Sequence, residues 1–451
     1  MITPHDTIHD FIVGAAPPAE ARAAAARAVL DTIGVTLAGA CEPAAQSVQR
    51  VVADDGPGPC RVIGTSIVTS AGNAALANGT AAHAHDFDDM CFVSLAHPSA
   101  PLVACALAAA ELVQASGRAL LDAYVIGFEI EARFGRAMNP RHYQKGWHCT
   151  STIGTLGAAA AASRLLGLDA TATRHAVDIA ASEASGLKDN FGSMVKPLHA
   201  GLAARNGVLA AQLARAGLTA NANAIRGSQG FLAAMDSETA PDDLDRYLGD
   251  LGERWEILDT GITVKLYPSC AATHPTLDTL LDLKRREAFT AEDVRAVEIG
   301  VDAVTPTVLI HDRPADGLQA KFSMPFCAAA AIVDGRVGIE TFDDRRIRDQ
   351  EIVAAQSRVS MCVDSTLDGG ASPLTQARVT VRLNDGRVLT AAANGARGYP
   401  QRPASDDELA AKFLSCAGRA LPQARAERAL ALVRAIESSH DVREMTEAVW
   451  R

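Results

Sequence analysis

The stretch HAHDFDDMCFVSLAHPSA, residues 83–100, concentrates three histidines (His83, His85, His97) and three aspartates (Asp86, Asp88, Asp89) within fifteen positions. Residues of these types can ligate a divalent metal, form an acid/base apparatus for proton transfer, or stand as the wet face of a helix end. On a helix His85 and Asp89 are four apart and Asp86 and Asp89 three apart, so pairs could share a face. The metal reading lacks its usual companions: the chain contains no HExxH, no Cys/His tetrad and no Gly-containing calcium loop. No metal ligand is therefore assigned.

A second feature favours proton transfer. Polar residues able to bind an anion or move a proton stand immediately before proline at His97-Pro98, Lys196-Pro197, Tyr267-Pro268 and His274-Pro275. The residue before proline is pushed toward extended geometry, and proline is favoured in the first turn of a helix, so each side chain is expected near a helix N-terminus. His148 shares that setting, because Thr150 or Ser151 in GWHCTSTIGTLG can cap the helix after it. Helix N-termini present unpaired N–H groups and the positive end of the dipole; they suit carboxylates and bias a histidine toward its neutral, basic form. With Lys188, Lys196 and Lys265 as positive charge, the expected pocket takes a small polycarboxylate and moves a proton on it. Taken singly, each of these residues is equally well a plain cap; five together favour a site. Other catalytic signatures are missing: there is no GxSxG, no GxGxxG after a strand and no GxxxxGK[ST]. Cys149 adjoins His148, but chain neighbours rarely point at one another, so a thiol nucleophile is not expected there.

These side chains must be held by a chain of 451 residues, long enough for two or three compact units. Hydrophobic residues make up 48% and aromatics only 4%, and alanine-rich runs such as GAAAAASRLLG predict helices packed through small residues. From Pro17 to about Gly261 helix follows helix, punctuated at DDGPGP, QASGRA and LLGLDAT. After residue 265 the texture changes. Val297, Ile299 and Val301 alternate with Glu298, Gly300 and Asp302 as in a half-buried strand, SRVSMCVD is a second strand, and ARVTVRLNDGRVLTA reads as a hairpin about Asn384-Asp385-Gly386. Helices are expected at 274–287, 318–333 and 344–355. The fold class is thus mainly α: residues 1–265 helical, 266–396 a smaller α+β domain, and 397–451 a return to helix. The net charge of -11 removes the basic footprint of a nucleic-acid binder. Nine cysteines without a CxxC spacing read as reduced thiols of a cytoplasmic protein. No uncharged apolar run reaches the ~18 residues of a membrane span, and the N-terminus has no signal-peptide pattern, so no membrane partner is expected.

Five blocks carry a family. NGTAAHAHDFDDM with AHPSA, GWHCTSTIGTLGAAAAASRLLGL, FGSMVKPLHAGLAARNGVLAAQL, KLYPSCAATHP and QAKFSMPFCAAAAIVDG together resemble the MmgE/PrpD family, in order and through nearly the full length. That family includes 2-methylcitrate dehydratase, cis-aconitate decarboxylase and iminodisuccinate epimerase. The resemblance implies a large helical domain built from both chain ends, a smaller α+β lid domain, a homodimer, and catalysis without metal or organic cofactor. It also places site residues: Asp86 opens the DFDD motif, His97 is the histidine of HPS, His148 that of GWH and Lys196 the lysine of KPLH. These form the expected catalytic set, with Asp86 orienting or charge-balancing a histidine. His274, which closes SCAATH, joins Lys265, Tyr267 and His199 as the expected substrate-binding set. Two positions depart from the decarboxylase: Met90 stands where it has threonine, and Phe326 where it has tyrosine. The gap from DFDD to HPS and the blocks HYQKGWHCTSTIG and KPLHAGLAARNGVL are most similar to the epimerase branch. The expected activity is proton abstraction next to a carboxylate of a small di- or tricarboxylate, with epimerisation ahead of dehydration and decarboxylation third. A non-catalytic polycarboxylate-binding protein is the alternative from another class.

Overall fold

A computed structural model describes residues 4–235, 241–367 and 375–450. The chain divides into two compact units, one comprising Met1–Ala84, Asp88–Val264 and Ser405–Arg451, the other His85–Phe87 and Lys265–Ala404. The smaller unit thus keeps residues 397–404, which the sequence pattern assigns to the helical return, and takes three residues from the DFDD segment.

The larger unit is helical apart from a ribbon of two short strands, β1 (Cys60–Arg61) and β2 (Val68–Thr69). Its central helices are Ala71–His83, Ser99–Val113, Gly117–Met138, Cys149–Leu165 and Val195–Arg215. Serine starts two of them: Ser70 and Ser116 accept the N–H groups of Asn73 and Ala119, which have no acceptor inside the helix. The core between these helices is mostly alanine, including Ala74, Ala104, Ala158, Ala204 and Ala211. Such side chains let backbones come close, and glycine takes the closest crossings. A Cβ added to Gly201 would lie 2.3 Å from the Leu76 carbonyl oxygen, and one on Gly79 would lie 2.9 Å from Gly201 Cα. Both chain ends build this unit. The long helix Ala19–Gly39 packs on Asp406–Ala417, where buried Lys412 and Asp31 pair at 2.7 Å.

The smaller unit carries a four-stranded sheet in the order β4 (Val359–Val363), β3 (Val294–Val301), β5 (Gln376–Leu383), β6 (Val388–Asn394). β3 and β4 are parallel, whereas β5 runs antiparallel to both β3 and β6. The period-two pattern has the expected result: Val297, Ile299 and Val301 of β3 and Ala377, Val379, Val381 and Leu383 of β5 are buried. They meet Leu280 and Leu283 of the helix His274–Glu287 and Met324, Ala328 and Ile332 of the helix Met324–Asp334. The hairpin turns at Asn384-Asp385-Gly386, with Gly386 at φ 93, a left-handed conformation that glycine adopts freely. The expected helix 318–333 is two pieces, Gly317–Ala320 and Met324–Asp334, because Ser323 caps the second by accepting Phe326 N–H. The segment 344–355 likewise splits at Asp349, which caps Gln350–Gln356.

Among the described residues no single helix is long and apolar enough to cross a membrane. None of the nine cysteines forms a disulfide with another described residue.

The glycine crossing makes a signed prediction. Gly201→Ala forces a methyl against a carbonyl and is expected to cost about 1–3 kcal/mol by overpacking. Gly72→Ala meets only Arg205 Cγ, at 3.7 Å, and is expected to be neutral or stabilising by up to about 1 kcal/mol through the unfolded chain. The unfolding temperature should fall in Gly201→Ala and hold or rise in Gly72→Ala.

Candidate active site

Within the larger unit the end of one helix and the starts of three others bring five ionisable side chains together. His83 is the last residue of Ala71–His83. His97 precedes Pro98 and the helix Ser99–Val113, and its N–H donates to Thr150 Oγ1 at 3.0 Å. His148 is the N-cap residue of Cys149–Leu165, with its N–H donated to the Gly186 carbonyl at 3.0 Å. Lys196 and His199 lie one turn apart at the start of Val195–Arg215. All five are buried.

Asp88 joins them. His83 Nδ1 faces both Asp88 oxygens, at 2.8 and 3.0 Å, and His83 Nε2 lies 2.8 Å from Lys196 Nζ. Lysine has only protons to offer, so His83 Nε2 accepts from Lys196 and His83 Nδ1–H donates to Asp88. His97 Nδ1 is 3.4 Å from the same Asp88 oxygen. The rings of His97 and His148 flank His83, with centroids 4.5 Å away edge-on and 5.7 Å away stacked. His148 Nδ1 faces His199 Nδ1 at 3.0 Å, and the Phe191 ring meets His148 edge-on at 4.9 Å.

The electrostatics favour neutral rings. Burial pushes His83 down to about 4 against the opposing pull of Asp88. His148 is held well below the ordinary histidine value by burial and then by Lys196, and His199 falls to about 4 through burial, His83 and Lys196. Burial works against the Asp88 carboxylate, but the neighbouring His83 and His97 hold it well below the usual range. His83, His148 and His199 are therefore neutral imidazoles around one lysine and one carboxylate, and a neutral imidazole offers one N–H and one lone pair. His83, Asp88 and His97 also have ligand atoms within 4.8 Å of one another, close enough for a metal ion. The His83 lone pair needed for such an ion is the one protonated toward Asp88.

The remaining expected residues belong to the smaller unit. Lys265 Nζ donates to the Asp86 carboxylate at 2.8 Å and to the Asp86 carbonyl at 2.9 Å. Tyr267 OH donates to Asp278 at 2.6 Å and accepts from Arg397 at 3.3 Å. His274 Nε2 donates to the Ser269 carbonyl at 3.1 Å, which leaves the buried Nδ1 bare. Burial and then Lys265 push His274 down to about 3.

Several expectations need correction. The carboxylate that meets His83 and His97 is Asp88; Asp86 meets Lys265 and acts on a histidine, His274, only through its charge. Thr150 and Ser151 do not cap the helix after His148: Thr150 accepts from His97, and Ser151 Oγ donates to the His199 carbonyl at 3.2 Å. Tyr267-Pro268 opens no α-helix. Lys196 and His274 are themselves helical rather than extended, since a proline in the first turn gives up only an N–H that has no intrahelical acceptor. Lys188 donates to the Tyr143 carbonyl at 3.1 Å and sits over the Tyr143 ring. Cys149 is buried, its thiol pushed up to about 12 by burial, which removes it as a nucleophile. His83 and Asp88, absent from the expected catalytic set, hold the cluster together; their five-residue spacing suits no single helix face, so only a chain reversal after His83 joins them.

A mainly helical unit thus gathers four histidines and a lysine at helix ends. The MmgE/PrpD N-terminal domain matches residues 7–243 and the MmgE/PrpD C-terminal domain residues 267–438. The chain belongs to the MmgE/PrpD family and is an enzyme of it. It is 29% identical to cis-aconitate decarboxylase-like protein oryM of Aspergillus oryzae, over 95% of this chain and 92% of that one. It is 28% identical to cis-aconitate decarboxylase of Mus musculus, over 83% and 77% respectively. With cis-aconitate decarboxylase of Aspergillus terreus it shares 25% identity over 93% of this chain and 89% of the relative.

Behind the cluster Asp89 accepts Ser99 N–H at 3.2 Å and the Ser99 hydroxyl, and burial pushes it up to about 8. Glu129 and Asp178 are pushed up to about 7, also by burial. A carboxyl whose folded pKa exceeds its unfolded value makes its contribution at low pH and loses it as pH rises to the folded value. The depressed histidines behave oppositely and lose stability only as pH falls below about 6.5. Toward pH 8 the unfolded chain's histidines have lost their protons, while the raised carboxyls still lose theirs in the folded state, so the unfolding temperature is expected to fall as pH rises. Asp89→Asn should flatten that slope in calorimetric scans over that range; an unchanged slope contradicts the assignment.

Proposed function

We propose that this enzyme moves a proton at a carbon next to a carboxylate of a small di- or tricarboxylate, without metal or organic cofactor, and that its reaction is epimerisation of a substituted succinate of the iminodisuccinate kind. The carrying observation is the Asp88–His83–Lys196 chain flanked by the rings of His97 and His148. Loss of a proton next to a carboxylate leaves an enediolate-like charge, and Lys196 is a donor held ready to stabilise it. His97 and His148 are the acid/base pair. The incoming carboxylates add negative charge, which favours protonation of one of the two, so one ring takes the substrate proton while the other supplies one to the opposite face. The family-implied homodimer belongs to the same proposal.

A lyase reading is favoured by the names of the relatives, which are cis-aconitate decarboxylases at 25–29% identity. Against decarboxylation stand Met90 and Phe326, at the positions where the resemblance places hydroxyl side chains. Phe326 is fully buried and packs on Phe342 at 5.9 Å. Dehydration of the 2-methylcitrate kind is the remaining alternative.

The test is turnover in deuterium oxide. With iminodisuccinate or a related substituted succinate, deuterium is expected at the α-carbon together with scrambled stereochemistry, and with neither alkene nor CO2. An alkene from 2-methylcitrate or citrate, or CO2 from cis-aconitate, with no exchange on succinates would replace the epimerase by a lyase. His97→Ala, His148→Ala and Lys196→Ala should each lower turnover by ~10² to 10⁴ while the fold survives.

A further inference from the structure

His148 and His199 turn the same atom toward each other. Their Nδ1 nitrogens are 3.0 Å apart, a hydrogen-bond distance with room for one proton. Two bare nitrogens would repel and two protonated ones would clash, so one ring carries its hydrogen on Nδ1 and the other accepts it. A neutral imidazole has one N–H and one lone pair, so the ring that donates through Nδ1 has a bare Nε2, and the ring that accepts carries its hydrogen on Nε2. The pair always presents one basic and one protonated Nε2. Neither Nε2 makes a hydrogen bond to the described residues, and neither is among the buried polar atoms shut off without a partner. Both are open to a small molecule or water.

The surroundings hold this contact in place. His148 is fixed by its backbone bond to Gly186 and by the helix it starts, and its carbonyl accepts from Ser151 and Thr152 N–H at 2.9 and 3.1 Å. Ser151 Oγ ties the carbonyl of His199 to the same helix. Gly186 adopts φ 122, and a Cβ there would lie 2.7 Å from Ser151 Cβ and 3.5 Å from His199 Cγ, so only glycine lets this loop close over the pair. Among the described residues no carboxylate is hydrogen-bonded to either ring, in contrast to His83 with Asp88. The proton between the rings therefore has an imidazole nitrogen as acceptor on either side.

We infer that His199 is a positioning and relay residue that sets the tautomer of His148 and passes the proton His148 captures. A proton taken by His148 Nε2 makes that ring an imidazolium. Its Nδ1 proton crosses to His199 Nδ1, and His199 releases its own Nε2 proton. One proton enters, one crosses and one leaves, and both rings end neutral with their tautomers exchanged. His148 then carries its hydrogen on Nε2, as an acid needs, and the reverse passage restores the base. The inference rests on the proposed proton transfer at His148 and reassigns His199 from substrate binding to handling the proton.

Two measurements test it, and the first needs no substrate. In protein labelled with ¹⁵N-histidine, one hydrogen shared by two histidine Nδ1 atoms is expected, with nitrogen–nitrogen coupling across the hydrogen bond that disappears in His199→Gln. Two rings each protonated on Nε2 alone, with no shared hydrogen, overturn the inference. The second follows isotope. His199→Gln offers His148 an amide oxygen that keeps it in the basic tautomer but has no exit for the proton. With α-deuterated substrate in ordinary water, the parent should wash out the label. The variant should return it to the α-carbon several-fold more often, with kcat lowered on the order of 10² and KM little changed. Equal label return in parent and variant overturns the relay. A shared hydrogen in the parent with no turnover of any polycarboxylate leaves the pair standing and rejects the proposed reaction instead.

Discussion

The hydrogen-bonded chain from Asp88 through His83 to Lys196 is buried as a unit, and each member depends on the next. Removing one partner of a buried hydrogen bond leaves the other unsatisfied and costs about 1–3 kcal/mol, more where that group is charged, so the helices that carry these residues are tied together at this point. The Gly79–Gly201 crossing determines where they stand. Gly79 lies four residues before His83 and Gly201 five residues after Lys196, or about 6 and 7.5 Å along their helices at 1.5 Å per residue. This close backbone crossing is thus about one turn from the bond it aligns. Alanine around it keeps the crossing close, so the small-residue composition and the geometry of the histidine cluster are one constraint seen at two scales.

That constraint explains why a site rich in histidine can remain basic. A ring taken out of water loses its proton unless a carboxylate restores the balance. Asp88 supplies that restoration to His83 and, at longer range, to His97, while His148 and His199 have only each other. The cluster therefore holds two kinds of histidine. One is locked in a single tautomer between a carboxylate and a lysine; the other shares a proton with a second imidazole. Lysine beside them adds positive charge that disfavours imidazolium until an anion arrives, which ties proton uptake to ligand charge.

Much of this was legible in the chain. The alternation of β3 and β5, the hairpin at Asn384-Asp385-Gly386 and the alanine-rich helices follow from side-chain period and turn chemistry, because both are local properties. The placement of His97, His148 and Lys196 at helix starts also followed from local signals, and these residues do meet. What was not legible depended on contacts between distant segments. Thr150 and Ser151 have the residue types of caps, yet their hydroxyls bond to His97 and His199. Tyr267-Pro268 has the local pattern of a helix start, but the tyrosine is drawn to Asp278 and Arg397 instead. His83 and Asp88 were visible as residues but not as partners, since five-residue spacing has meaning only once the chain has turned.

The DFDD segment shows how far a motif underdetermines its own side chains. Its three aspartates span four positions and end in three environments: Asp86 on Lys265, Asp88 on the histidines, and Asp89 on Ser99 in the core. Asp86 stands at φ 53, a left-handed conformation that aspartate tolerates better than most residues. In an ordinary strand residues 86 and 88 would share a face and compete for the same partner. The kink at Asp86 breaks that alternation, so that His85–Phe87 joins the smaller unit while Asp88 stays with the larger. One short segment thus gives each unit a fixed carboxylate with its own partner. It follows that Asp86 and Asp88 are not interchangeable: each is defined by a backbone angle and a cationic or imidazole partner, and neither role could pass to the other by a shift of the chain without turning every side chain between His83 and Met90 to a new environment.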